Sequence, residues 1–397
     1  MPIVSNSFFY DLSLTGGYRL SHYSLTTGRS FNTDTYKFGV NFSPIKDFRV
    51  RASYNRAVRA PNIQELFATV HVQLDGASDP CAGPAVGGLV NGNTAAQCAS
   101  AGVTAAQFGK VSANPAGQYN GQVGGNANLD PERATTKTVG IVFQPSFIPR
   151  LSITADYFDI SVDKAIQGYG ADTILTACVN TGNPTFCNLI HRNPTGSLWL
   201  TDTGYVTDLS TNIGGVKTKG VDFTANYSHD IGKLGSLSLG IIGTYLKSLT
   251  TDNGLSAPYN CAGYFGKQCG TPNPKWRGKA RLTYASPDGV GLSVQWRYFG
   301  AVDVDSSSTN TTLAGRYSLF NNHISAQSYF DLASTFRVGD KFTFRLGVNN
   351  VLDKSPPIIS SNGSLSACPG VTCNGNTFPA VYDALGRYLY AGATIDF

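Results

Sequence analysis

Short stretches in which apolar and polar residues alternate recur along the whole chain. One of them places the two kinds of residue in the order Phe342, Thr343, Phe344, Arg345, Leu346, Gly347, Val348. Residues 48–55 and 292–298 follow the same rule. A period of two is that of a β-strand with two different faces. Roughly twelve such stretches occur, which predicts an all-β fold.

The segments between these stretches are of two kinds that take turns along the chain. Five are short and rich in turn-forming residues, namely 43–47, 145–149, 230–234, 286–289 and 338–341. Five are long and rich in Gly, Asn and Ser, with a shorter member near 26–32, namely 60–131, 164–212, 250–274, 302–324 and 351–383. Antiparallel strands place successive connections at opposite ends of a sheet, so all long loops are predicted at one end.

This sorting of connections favours a transmembrane antiparallel β-barrel with long extracellular loops and short periplasmic turns. We expect Val294 and Phe344 to face lipid, and Gln295 and Arg345 to face a wet lumen. The alternative is a soluble barrel with the same apolar faces turned inward. That alternative is disfavoured because so many long strands would enclose a lumen too wide for side chains to fill.

Composition further narrows the classes of protein to which the chain can belong. Charged residues make up 14% of the chain, against roughly 25% in ordinary globular domains, while Gly, Phe and Tyr are abundant. No apolar run is long enough for a membrane-spanning helix, and the amino terminus lacks the pattern of a secretory signal. The net charge of +5 is small and spread out, which argues against a nucleic-acid partner.

Eight cysteines occur as neighbouring pairs, each inside one long loop. The predicted local disulfides are Cys81–Cys98, Cys178–Cys187, Cys261–Cys269 and Cys368–Cys373. Such stapling is typical of an oxidising compartment. A zinc site is disfavoured because the chain has no C-x-x-C and its five histidines lie at no ligand spacing from the cysteines. We expect no metal site and no cofactor.

Residues 48–67 carry the most specific motif, a strand that ends in Arg59-Ala60-Pro61 and is followed by Glu65-Leu66-Phe67. The segment resembles the barrel signature of TonB-dependent receptors, and Arg59, Pro61, Glu65 and Leu66 match that motif. Four further segments agree in the order of the family, namely 125–132, 220–222, 347–354 and 382–387 with the terminal Phe397. Ala127 and Val351 depart from the residues that are usual in the family.

The resemblance implies an outer-membrane barrel of about 22 strands in a Gram-negative bacterium, of which residues 1–397 would supply about twelve. By that comparison we expect the plug domain and the N-terminal strands to be absent from this chain. A truncated gene, a misplaced start codon or a fragment would each account for this.

The function that the resemblance implies is TonB-dependent import of a scarce nutrient, which could be a siderophore, cobalamin, haem or an oligosaccharide. The implied partners are outer-membrane lipid, the TonB-ExbB-ExbD system through the missing plug, the barrel-assembly machinery and an unidentified small molecule. The alternative is an orphan passive pore or structural barrel without coupled transport.

Candidate functional residues are few. No hydrolase, P-loop or metalloprotease motif occurs, so we expect neither catalytic residues nor an enzyme. The terminal strand ends in Phe397, which the resemblance implies is an assembly signal. Aromatic residues in the long loops could stack on a ligand, although packing within a loop is the commoner role; they are Trp199, Tyr205, Tyr259, Tyr264 and Phe265.

Overall fold

The computed structural model describes residues 8–254, 256–320, 322–339, 341–359 and 373–395. One large antiparallel sheet dominates the fold, and its path contains twelve strands. They are β1 Asp11–Ser24, β2 Ser30–Ile45, β3 Phe48–Arg59, β4 Glu132–Phe143, β5 Ser152–Asp163, β6 Gly215–Asp230, β7 Ser236–Asp252, β8 Trp276–Ala285, β9 Val290–Phe299, β10 Gln327–Val338, β11 Phe342–Asn349 and β12 Tyr388–Ile395.

Each strand pairs with the next one along the chain, so the sheet is a simple meander. The two edge strands are β1 and β12, and within the described residues they do not pair with each other. The sheet is therefore open. The all-β prediction and the expected number of strands are confirmed.

Short turns join the strands at one end of the sheet, as predicted from the sequence. The turn between β9 and β8 contains Gly289 at φ 80°, and the turn between β10 and β11 contains Gly339 at φ 60°. These backbone conformations are easy for glycine and costly for most other residues. The five long connections and the short one near 26–32 all lie at the opposite end.

The register of the sheet separates its two faces chemically. Val294 lies opposite Leu282 on one side and Leu332 on the other, so apolar residues run across neighbouring strands. One position further along, Gln295 lies opposite Arg281 and Asp331. The predicted alternation therefore produces one apolar face and one polar face across the sheet.

The long connections contain regular structure that the sequence did not reveal. Their helices are α1 Ile63–Phe67, α2 Ala95–Ser100, α3 Ala171–Thr181 and α4 Pro184–Cys187, and they contain a 3₁₀ turn at Asp305–Ser307. Another 3₁₀ turn, Gly232–Leu234, lies in the short connection between β6 and β7. Their short strands are His71–Gly76, Tyr119–Val123, Ile166–Gln167, Ile190–His191, Tyr205–Thr207, Thr211–Asn212, Tyr259–Asn260, Tyr264–Phe265, Val302–Val304 and His323–Ile324.

Two loops together form a compact unit, here called the first cap, which comprises residues 60–131 and 164–214. Its core is apolar and includes Val111, Ile174 and Leu198, all essentially inaccessible to solvent. A buried ion pair joins the two loops, since Arg192 Nη1 lies 2.5 Å from Asp79 Oδ2 and both side chains are less than a tenth exposed. Arg192 also donates to the carbonyl oxygens of Ala101 and Gly196.

The described residues of the other three loops form the second cap, which comprises residues 253–254, 256–275, 300–320, 322–326, 350–359 and 373–387. Its main core contains Phe265, Val304, Ile324 and Phe378, which come from all three loops. A strand trio at 264–265, 302–304 and 323–324 ties two of these loops together. The long loops are thus packed bodies with cores of their own.

The structure forms a disulfide at three of the predicted pairs. They are Cys81–Cys98, Cys178–Cys187 and Cys261–Cys269, and each one closes within a single loop. Cys373 is also disulfide-bonded. Cys368 and the terminal Phe397 lie outside the described residues. Among the helices of the described chain, none is long and apolar enough to cross a membrane.

Candidate functional site

Arg59 is the centre of a polar junction where β3 enters the first cap. Its Nη1 and Nη2 atoms donate to the two carboxylate oxygens of Glu65 at 2.9 and 3.0 Å. Its Nε atom donates to Glu132 Oε2 at 2.5 Å. Arg59 therefore connects the end of β3, the first helix of the loop and the beginning of β4.

The helix that follows Arg59 is built from the remaining residues of the motif. Pro61 is buried just before it, and Asn62 caps it by accepting a hydrogen bond from the Glu65 amide at 2.8 Å. Glu65 Oε2 accepts one from the Asn62 amide in return, which completes a capping box. Leu66 is 5% exposed and anchors the helix. The four motif residues thus build one local structure.

The second family-like segment packs directly on this helix. The Asn126 amide donates to the Glu65 carbonyl oxygen at 2.7 Å, and the Gly125 amide donates to that of Ala68 at 3.0 Å. A Cβ atom at position 125 would lie 2.7 Å from backbone atoms of residues 66–68. Only glycine allows this approach, which explains its place in the motif.

Asp130 forms a further node at the same rim. It accepts from Arg29 at 2.5 Å and from Lys164 at 3.1 Å, and its amide donates to Asn212 Oδ1 at 2.6 Å. The Lys164 ammonium, helped by Arg29, lowers the pKa of Asp130. Burial pushes the pKa of Glu65 upward, but the hydrogen bonds from Arg59 and from the Asn62 amide, together with the charge of Arg59, make the net shift downward. Both carboxylates are held in the ionised form.

A second junction lies where β9 and β10 enter the second cap. Arg297 donates to both oxygens of Asp331 at 2.8 Å and to those of Asp383 at 2.8 and 2.6 Å. Gln295 donates to Asp331 at 3.0 Å, and the guanidinium lies 5.1 Å from the centre of the Tyr329 ring. Arg297 joins the polar face of the sheet to the last loop.

Two further family-like segments, 347–354 and 382–387, meet at this junction, whereas 220–222 lies within β6. Asn350 donates its amide to Asp331 Oδ1 at 2.9 Å and accepts from the Lys354 amide at 2.9 Å. Asp353 accepts from the Arg387 amide at 2.8 Å. Motifs at 347–354 and 382–387 are thus brought together, as those at 59–66 and 125–132 are in the first cap.

A cavity of about 670 Å³ opens beside Arg297. It is lined by Gln295, Arg297, Asp331, Asn349, Pro379, Tyr382, Asp383, Ala384, Leu385, Gly386 and Tyr388. Two carboxylates surround one guanidinium, so the charge of Arg297 is already matched. The cavity therefore offers hydrogen-bonding groups and exposed apolar surface, but no unmatched cation to an anionic ligand.

The predicted ligand-contact aromatics have different environments. Phe265 is fully buried and Tyr259 is 5% exposed, so both pack inside the second cap and we withdraw them as ligand contacts. Trp199 and Tyr205 are half-buried in the first cap, where Trp199 Nε1 donates to the carbonyl oxygen of Ser112 and the Tyr205 ring contacts that of His191 at a tilted angle. Tyr264 is half-buried in the second cap. These three remain candidates.

The first cap also contains a group of carboxylates. Burial, reinforced by the neighbouring charges of Asp208 and Asp172, raises the pKa of Asp75. Burial also raises the pKa of Asp208, which accepts from the Gly170 amide at 3.0 Å. Asp172 accepts from the Tyr119 hydroxyl at 2.7 Å, whose pKa burial raises well above its usual range. Asp75 and Asp208 therefore share a site that favours protonation.

The sequence did not predict that Arg297, Asp331 and Asp383 form one hydrogen-bonded group. A signal existed, because Asp331 interrupts an otherwise apolar stretch between Phe330 and Leu332. A carboxylate at such a position needs a cation on the same face. The buried Arg192–Asp79 pair left no local signal, since its partners are 113 positions apart. No group of three or more His, Cys, Asp or Glu residues suited to a metal ion occurs in the described part of the chain.

Comparison with known proteins agrees with this architecture. The family described as TonB dependent receptor-like, beta-barrel matches residues 5–351. No curated protein matches the chain. A ferric enterobactin receptor from Pseudomonas aeruginosa superposes with a TM-score of 0.59 at 15% identity, over 97% of this chain and 43% of that one. The siderophore receptor PirA from Acinetobacter baumannii gives 0.54 at 16%, over 98% and 43%.

At these identities the superpositions show a shared fold, and the chain spans less than half the length of either receptor. The family match covers most of the chain and includes the motifs at 48–67, 125–132 and 220–222 and the beginning of the one at 347–354. The chain belongs to the TonB-dependent receptor β-barrel family.

Proposed function

We propose that this chain forms part of the wall and the outer rim of an outer-membrane receptor that imports a scarce nutrient in a TonB-dependent manner. The observation that carries the proposal is the combination of a two-faced twelve-strand sheet with all long loops folded into caps at one end. A wall needs the two faces, and a receptor needs an ordered surface at its outer end.

We infer which face borders the lumen from the side of the sheet on which the loop contacts lie. Glu65 and Asp383, which belong to the two caps, bind Arg59 and Arg297 at the rim of the sheet. Arg297 lies on the polar face together with Gln295 and Asp331. In the proposed arrangement this face borders the lumen, and the apolar face with Val294 contacts lipid, since a lipid-facing wall must be apolar.

The cavity beside Arg297 is the proposed contact area for the nutrient, together with Trp199, Tyr205 and Tyr264. Its matched charges favour a neutral or cationic ligand group at that position, for example the hydroxyls of a polyol or sugar. Energy coupling is proposed to act through the plug of the full receptor. The proposed nutrient is a siderophore, cobalamin, haem or an oligosaccharide.

Uptake by bacterial cells tests the proposal. Deleting the gene should abolish saturable uptake of one nutrient, and the uptake should require both TonB and the inner-membrane proton gradient. Arg297→Ala should weaken it, whereas Arg150→Ala, at a turn on the opposite end, should leave it unchanged. Uptake that is not saturable and that persists without a proton gradient would instead support a passive pore.

A further inference from the structure

Three lysines lie together on the apolar face of the sheet, near its loop end. Lys137 in β4 and Lys219 in β6 both lie directly opposite Asp159 in β5, so the three side chains share one face. Lys217 lies two positions before Lys219 and therefore points the same way. We call Lys137, Lys217 and Lys219 the lysine patch.

The patch carries an excess of positive charge. Lys219 Nζ forms an ion pair with Asp159 at 2.8 Å. Lys137 and Lys217 are exposed, and neither forms an ion pair with a residue that the structure describes. Three ammonium groups against one carboxylate leave a local charge of about +2 at neutral pH.

The apolar surface of the wall begins immediately next to the patch. In β4, Val139 follows Lys137 by two positions on the same face and is 54% exposed. Val139 lies opposite Tyr157, which lies opposite Val221. Tyr54 lies opposite Lys137 and stacks on Tyr36. An aromatic row between apolar and charged residues is the usual composition of a membrane interface.

We propose that the lysine patch is a docking surface for the anionic phosphate headgroup of a membrane lipid. Its position fits that occupant because an acyl chain would cover Val139 and its neighbours while the headgroup phosphate meets the ammonium groups. Lysines just outside a hydrocarbon layer attract anionic lipids in this way. The inference rests on the proposed membrane placement of the sheet, but not on which nutrient is imported.

Lipid binding to the complete chain in detergent micelles tests the inference. Native mass spectrometry would compare phosphatidylglycerol, which is anionic, with phosphatidylcholine, which is zwitterionic. The double variant Lys137→Gln/Lys217→Gln keeps the Lys219–Asp159 ion pair and should bind phosphatidylglycerol at least about fivefold more weakly. Asp159→Asn should bind it more tightly, since a negative charge is removed. Binding of phosphatidylcholine should change little in either variant.

The matched control is Lys110→Gln/Lys267→Gln, which removes two exposed lysines from the caps and should leave lipid binding unchanged. Equal binding by the two double variants would overturn the proposal. Displacement of the lipid by an equal concentration of inorganic phosphate would also overturn it, because the patch would then be a free-phosphate site. Heat-dependent gel migration checks that both double variants fold as the unmodified chain does, so that a loss of binding reports on the lysines.

Discussion

Arg59 and Glu132 form a hydrogen-bonded ion pair of 2.5 Å although they are 73 positions apart in the chain. The residues between them, 60–131, are one of the two loops of the first cap, so this pair closes the base of that loop. The loop therefore returns to the strand adjacent to the one it left, and its base is held by side chains as well as by the sheet.

We predict that Arg59→Ala loosens the base of the first cap. Glu65 and Glu132 are less than a fifth exposed and would lose their shared cation, at a cost of about 1–3 kcal/mol. Hydrogen exchange at residues 62–68 and 125–126 should accelerate while exchange in β9 stays the same. Arg150→Ala is the control, because both partners of its pair with Asp230 are more than half exposed and solvent screening should leave the pair little effect on stability. Equal effects of the two variants would refute the role of Arg59.

We predict that the cysteines pair locally in the isolated protein. Peptide mapping without reductant should recover Cys81 with Cys98, Cys178 with Cys187, Cys261 with Cys269, and Cys368 with Cys373. Each closure should stabilise its cap by roughly 2–3 kcal/mol, and most for the 17-residue separation of Cys81 and Cys98. Peptides that join different loops would contradict the pairing.

The two faces of the sheet should tolerate charge unequally. Val294→Arg should cost roughly 2–4 kcal/mol in lipid, because the residue lies between Leu282 and Leu332 on the apolar face. Phe344→Arg should behave alike. Gln295 is hydrogen-bonded to Arg281 and Asp331, so Ser293→Arg is the cleaner control on the polar face. Folding into lipid vesicles, followed by urea titration, gives the comparison. Similar costs at positions 293 and 294 would show that the faces are assigned wrongly.

We predict opposite pH responses at two places in the first cap. Burial raises the pKa values of Asp75 and Asp208, so the folded state holds their protons more tightly than the unfolded state. Their stabilising contribution is complete below the ordinary Asp pKa of about 3.9 and is lost as pH rises through the folded-state values. Asp130 has a lowered pKa, so its contribution is present above about pH 3.9 and is lost in acid.

Asp208→Asn tests this, since an amide oxygen can still accept from Gly170. At neutral pH it should slow exchange at residues 71–76 and stabilise the cap by about 1 kcal/mol. Asp130→Asn should destabilise the rim at neutral pH and have little effect at about pH 3. The exposed Asp202→Asn serves as the control. If Asp208→Asn accelerates exchange at neutral pH, the buried carboxylates of Asp75 and Asp208 do not destabilise the cap at that pH.

The sheet could be predicted from the sequence because its signals are local. Alternation in a stretch such as 342–348 reports the strand and its faces, and Gly289 reports a turn, without knowledge of any distant residue. The disulfides followed from nearness in sequence for the same reason. Which face contacts lipid is not a local property, and it remains a prediction.

The caps could not be predicted, because their order depends on distant partners. Arg192 finds Asp79 across 113 positions, and Phe265 packs on Phe378 at a ring distance of 5.8 Å. The glycine-rich composition of the loops gave no indication that either cap has an apolar core. The candidate site was predicted in part: the residues around Arg59 followed from the motif, whereas burial of Tyr259 and Phe265 depended on packing that short stretches do not show.

The Arg192–Asp79 ion pair has a consequence for how such receptors can diversify. Each described disulfide closes within its own loop, so a loop could be replaced by recombination without leaving a cysteine unpaired. The ion pair crosses between two loops and is almost fully shielded from water. Exchange of either loop alone would leave a buried charge without its partner, which is strongly destabilising. The smallest part of this outer surface that can be inherited or grafted as a unit is therefore the pair of loops.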